Sequence, residues 1–276
     1  MNSRRASYTL GFGVALLALL AGSVLAASWL SPDDPLAMNV GARLQQPSME
    51  HWLGTDRFGR DILTRTLHGG QTTLISCGLA LLSAVLIGLL LGALAGMFHG
   101  SLFDIALMRI IDVLLAFPFM VFAMVIAALF GTSLFHLLLA VVVVWWVGFA
   151  RLTRSLVLQA KNSTTVDAAR VLGTSKSVIL FRELLPQAFG PVLVLATFEL
   201  GNLILAIAAL SFLGLGSQPP SPEWGSMLAD GRAHFMTSPH VLLGPALWII
   251  LTVLAFNCIG EGLRDRIDPY EKARIG

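Results

Sequence analysis

Few side chains in this sequence could do chemistry, and their surroundings decide which kind. Glu199 and Asn202 stand three residues apart inside a stretch that is otherwise apolar. A carboxylate beside a carboxamide can hold a cation, pass a proton or fix a polar solute. Near the centre of a bilayer a carboxylate costs about 2.5–3.5 kcal/mol on insertion scales, so Glu199 must face protein or water. It either lines a polar path or subunit interface, or it makes a buried structural hydrogen bond. Cys77 and Cys258 lie in apolar runs, where thiols are inert. There is no CxxC, HExxH or Cys/His cluster, so no zinc site and no cofactor are expected. Gly173-Thr174-Ser175-Lys176-Ser177 carries the residue types of a phosphate-binding loop in the wrong order, because Ser175 precedes the lysine. Any nucleotide hydrolysis must therefore come from another polypeptide. No nucleophile–base pair points to an enzyme, and no basic groove points to nucleic acid.

The elements that must position these residues are membrane helices. The 276 residues are 56% hydrophobic and 12% charged, against about 25% charge in soluble domains. Stretches near 8–30, 72–98, 105–130, 134–157, 188–216 and 241–262 are each long enough to cross a bilayer, which takes about 20 residues. The expectation is an all-α polytopic protein with six transmembrane helices. Arg4, Arg5 and Val24-Leu25-Ala26 could mark a cleaved signal, but the apolar run is long and ends in an interfacial Trp29, so an uncleaved helix is expected. Lys and Arg divide 13 to 5 between the two sides when both termini are cytoplasmic, leaving 31–71 and 217–240 outside. Cys77 and Cys258 then lie near opposite faces and cannot pair. The natural division is 1–71, the first helix and its outer loop, and 72–276, a five-helix core with a cytoplasmic loop at about 158–187.

Within the spans, Gly88, Gly92 and Gly96 share a face and suit close approach of another helix, inside this chain or in a second subunit. Pro118, Pro191 and Pro245 can kink their helices. Trp145-Trp146 reads as packing, with a path lining as the alternative. Asp104, Arg109 and Asp112 open the third span, and Arg109 can pair with Asp112. In the outer loop Asp56, Arg57, Arg60 and Asp61 either contact a partner or, as Gly54 and Gly59 imply tight turns, fold the loop upon itself. Pro32, Asp33, Asp34 and Pro35 read as a helix exit.

The cytoplasmic loop holds a more specific pattern. Thr164 and Asp167 fit a capping box, so a helix is expected from Thr165. Gly173 is placed to end it, and a second helix runs from near Ser175 to before Pro186. Val166, Ala169 and Gly173 form a small apolar strip suited to a partner's groove or to a simple surface hairpin. Asp167-Ala168-Ala169-x3-Gly173, then nine residues, then Glu183-Leu184-Leu185-Pro186, resembles the EAA loop of ABC importer permeases. Asp replaces the usual Glu, and Glu183 stands where Ile is usual. In that family the loop is a coupling helix docked on the ATP-binding subunit, which implies that role for Asp167, Ala168, Ala169, Gly173 and Pro186.

Further segments resemble one branch, the dipeptide, oligopeptide and nickel permeases. These are His51-Trp52-Leu53-Gly54-Thr55-Asp56-Arg57-Phe58-Gly59-Arg60-Asp61, Ser211-Phe212-Leu213-Gly214-Leu215-Gly216, Pro222-Glu223-Trp224-Gly225, and Asn257, Gly260, Leu263-Arg264-Asp265 and Asp268-Pro269. The resemblance implies a type I permease fold in a bacterial inner membrane. It also implies a heterodimer with a homologous second permease, two ATP-binding subunits and an extracytoplasmic binding protein. Glu199 and Asn202 would border the path between the permeases. Peptide-type members commonly carry Glu where this chain has Ile207, which leans the expectation toward nickel or another transition metal, free or as a metallophore chelate. Di- and oligopeptides are the alternative. A proton-coupled secondary transporter could also use Glu199, but the EAA-like loop argues against it.

Overall fold

The structure is a computed structural model describing residues 2–31 and 33–267, with side chains placed from residue 7 onward. Pro32, Asp268, Pro269, Lys272, Arg274 and the side chains of Arg4 and Arg5 lie outside the described set. Eleven α-helices are described: α1 (Asn2–Leu25), α2 (Ala27–Leu30), α3 (Ile62–Met97), α4 (Leu102–Ala116), α5 (Phe119–Phe130), α6 (Leu134–Lys161), α7 (Thr164–Val171), α8 (Lys176–Ile179), α9 (Leu185–Phe212), α10 (Trp224–Gly231) and α11 (His240–Ile267). Among the described residues extended pairing is limited to one isolated bridge, Thr55 to Asp61. The fold is all-α. Five helices are long and apolar enough to span a bilayer, and six spans result when α4 and α5 count as one broken crossing.

Two of the expected spans are corrected. The second helix starts at Ile62 rather than near residue 72, because Asp61 accepts a hydrogen bond from Thr64 N at 2.7 Å and caps it there. Its 36 residues reach about 54 Å, so the first turns stand outside the roughly 30 Å hydrocarbon layer. The third span is not one rod. It bends by 89° between Ala116 and Phe119, at Pro118, which cannot donate the backbone bond that would carry α4 into α5. Pro191 and Pro245, by contrast, sit inside continuous helices.

The core is built on α3 against α6. A Cβ on Gly88 would fall 2.6 Å from Trp146 O, and one on Gly96 would fall 2.7 Å from Val157 Cγ1. The three-glycine row is therefore an internal seam, where bare backbone lets two helices meet face to face. α9 and α11 pack beside this pair. α1 lies antiparallel on α11, with Leu10 against Gly262 and Gly13 against Ala255 and Ile259.

Candidate functional site

The hairpin after α6 is defined by its caps. Ser163, not Thr164, caps α7, accepting from Val166 N at 3.4 Å, so the helix starts one residue before Thr165. No Glu or Gln stands at the third helical position to complete a capping box. Asp167 pairs with Arg170 at 2.8 Å on the exposed face, worth about 0.2–0.5 kcal/mol. Gly173 ends the helix at φ +73°. Its N–H bonds Arg170 O and that of Thr174 bonds Ala169 O, both at 3.0 Å, a Schellman closure that a residue with a Cβ would strain.

The apolar strip does not face outward. Val166 is fully buried with Val157, Ala160, Ile179 and Leu184, and Ala169 packs against the same cluster. The surface left free carries Asp167, Ala168, Arg170 and Gly173. At its tip Val171 and Leu172 are 88% and 83% exposed. The physical reason is reach: a short helix on a hairpin needs an anchor, and Val166 supplies it.

Pro186 is at the second position of α9, beyond α8 and a π-helical turn over Leu180–Leu184. From Lys176 to Phe212 these pieces run as one 37-residue apolar helix. Glu199 and Asn202 lie on it, about 20 Å along from Pro186. The two groups of site residues are thus not brought together; a single rod joins them.

Glu199 is half-buried, and its Oε2 accepts from Trp145 Nε1 at 2.8 Å. Asn202, which is exposed, reaches Glu199 Oε1 at 3.5 Å. The carboxylate borders a cleft of about 160 Å³ with Trp145, Gly148 and Leu195. Trp145 itself stands edge-on to Phe119 at 4.9 Å. The tandem tryptophans therefore differ in role: Trp146 is buried against the glycine seam and donates to Val143 O at 2.8 Å, whereas Trp145 orients Glu199. The sequence offered no signal for that 54-residue separation.

Asp104 also has a partner that local spacing did not suggest. Arg154 on α6 grips it at 2.6 and 2.9 Å, and His99 stands at 2.8 Å. Arg109 and Asp112 do pair, at 3.8 Å and largely exposed.

The outer loop folds upon itself. Arg60, 2% exposed, donates to Asp56 at 2.6 Å, and Arg57 reaches Asp230 on α10 at 3.0 Å. Asp61 holds His51 at 2.9 Å as well as capping α3. Glu223 caps α10 through Gly225 N and Ser226 N. Burial raises its carboxyl above the usual range, and these backbone bonds oppose the shift. Trp224 is fully buried and donates to Thr66 O at 2.8 Å. The sequence segments around Asp56 and Glu223 are joints between the outer loop, α3 and α10. Among the described residues no group of three or more His, Cys, Asp and Glu is arranged to hold a metal.

Comparison with known proteins supplies the family. Residues 88–272 match the family of binding-protein-dependent transport system inner membrane components. A dipeptide transport system permease protein of Alkalihalophilus pseudofirmus is 42% identical over 90% of this chain and 81% of its own length. A glutathione transport system permease protein of Pectobacterium atrosepticum is 42% identical over 90% and 82%. A putative peptide transport system permease protein of Brucella suis is 40% identical over 98% and 90%. With the apolar spans, the family model and these relatives in agreement, the chain belongs to the binding-protein-dependent inner-membrane components and is a permease subunit of an ABC importer, not an enzyme.

Proposed function

We propose that the cargo is a short peptide, in the class of dipeptides and glutathione. What carries this reading is the identity of 40–42% across nearly the whole chain to permeases with those names. The lean toward nickel rested on Ile207. That side chain is fully buried within this chain's own core, so it answers to the packing of α9 and carries no weight about cargo.

In this reading α7 is the coupling helix. Val171 and Leu172 would enter a groove of an ATP-binding subunit, while Val166 ties the helix to α6 and α8. Nucleotide-driven closure of two such subunits would push α7, and the α8–α9 rod would carry that motion into the membrane. Glu199 and Asn202, on the same rod, would border the path shared with a homologous permease. A binding protein outside would deliver the cargo. Alternating access then needs only two arrangements of the rod, each favoured by one nucleotide state.

The test is uptake by cells lacking this chain and by complemented cells, with the partner proteins present. Labelled dipeptide and glutathione uptake should fall on deletion, and cellular nickel should not change. Loss of nickel with peptide uptake intact would restore the metal reading. Glu199→Ala should abolish uptake while the complex still assembles; unchanged uptake would remove Glu199 and Asn202 from the path.

A further inference from the structure

We propose that a groove between α3 and the α8–α9 junction holds one anionic phospholipid, bound more tightly than the surrounding lipid. The groove has a volume of about 450 Å³, within the range of pockets that hold small molecules. Its floor is apolar, from Leu86, Leu90 and Leu94 on one wall and Leu180, Phe181 and Leu185 on the other. From Leu86 to Phe98 the α3 wall runs about 18 Å, close to the ~15 Å hydrocarbon depth of a single leaflet. An acyl chain lying along it fits that length.

Only one end is polar. Lys176 and Ser177 line the groove there, beside Phe98. Among the described residues Lys176 has no carboxylate partner; its ammonium stands 6.0 Å from the Phe98 ring centroid. The other ammonium at this end of α3, Lys161, is engaged by Met97 O at 2.7 Å and does not line the groove, which leaves Lys176 as the groove's cation. An apolar trough one leaflet deep, ending in an unpaired ammonium and a hydroxyl, matches a lipid whose headgroup carries net negative charge. A zwitterionic lipid fills the trough equally well, but its own ammonium offsets its phosphate, so its net attraction to Lys176 is weaker. The wall contributed by Leu180 and Phe181 is the π-helical turn, a form common at functional sites, and it leads directly to the α7–α8 hairpin. The lipid would brace that turn.

The experiment uses the whole importer reconstituted in vesicles. Phe181, 64% exposed, is replaced by cysteine in a Cys258→Ser background and labelled with an environment-sensitive fluorophore. Brominated phosphatidylglycerol and brominated phosphatidylcholine are then titrated as quenchers. One lysine near the surface favours an anionic lipid by about fivefold, so phosphatidylglycerol should half-quench at about one fifth of the mole fraction that phosphatidylcholine needs. Lys176→Gln should erase that preference and leave quenching by phosphatidylcholine unchanged. Equal quenching by the two lipids overturns the proposal, as does a preference that survives Lys176→Gln. Quenching by neither shows that protein, such as the second permease, covers the groove, and overturns it too.

Discussion

Replacing Gly92 with alanine tests the seam on which the core rests. The added Cβ would sit 2.9 Å from Ala150 Cα and 2.9 Å from Thr153 Cβ. Ordinary carbon contacts lie at about 3.5–4.0 Å, so α3 and α6 must part by about 0.6–1 Å. Backbone atoms cannot rotate away, and Gly88 and Gly96 hold the same two helices together on either side. Such overpacking costs about 1–3 kcal/mol. Alanine also gains about 0.5–1 kcal/mol of helix propensity over glycine, which would mask part of the loss. Gly78→Ala supplies the control, since nothing lies within 4 Å of a Cβ there and the propensity gain is shared. The difference between the two variants should therefore be about 1–3 kcal/mol, or about 5- to 150-fold in the opening equilibrium. Cys77, fully buried on α3, is the reporter. A thiol dye reacts with it only in opened molecules, in a Cys258→Ser background with the partner permease co-expressed. Equal labelling rates for Gly92→Ala and Gly78→Ala would refute the close seam.

Gly173→Ala should strain the α7 closure by about 1–2 kcal/mol, since φ is +73° and the surroundings are open; amide exchange at residues 173 and 174 should quicken about 5- to 30-fold. Val171→Asp with Leu172→Asp should abolish co-purification of the ATP-binding subunits while changing the permease's own stability by no more than about 0.5 kcal/mol, because both side chains are more than four-fifths exposed. Glu223 has a folded pKa raised above its ordinary 4.5. Above pH 4.5 the folded state thus binds the proton better than the unfolded state, and this group's contribution to stability falls as pH rises toward the folded pKa. Glu223→Gln should flatten that slope, read from thermal unfolding across pH 4.5 to 8; a slope unchanged in the variant would assign it to another group.

The spans were legible because about 20 apolar residues leave the chain no other stable form. The early start of α3 was not. Thr64, Arg65 and Thr66 read as loop by polarity, yet all three are buried against the outer loop and α10. That is a tertiary fact without a local pattern. Pro118 announced a kink, but the 89° angle depends on what α5 packs against. The Val166 strip was visible too, though periodicity cannot say whether a strip faces its own chain or another. Glu199 stood out as a lone carboxylate, and its partner Trp145 did not, since a hydrogen bond across two helices obeys no spacing rule. The helix end at Gly173 was the most readable detail, because a cap is local chemistry; Asp61 and Glu223 are caps only once the starts of α3 and α10 are known.

The break between α4 and α5 bears on how the cell must make this protein. Continuing a helix would satisfy the last carbonyls of α4; here Phe117 and Pro118 interrupt it, and Pro118 brings no donor. Of α5 only Ala123 is buried. Interrupted backbone is not tolerated against lipid and must be covered by protein or reached by water. In the proposed assembly a copy synthesised in excess of a second permease would leave this break without its protein cover, and quality-control proteolysis is expected to remove it. The steady level of this subunit should then follow the supply of the other permease, which blots of membranes from cells lacking that partner would show.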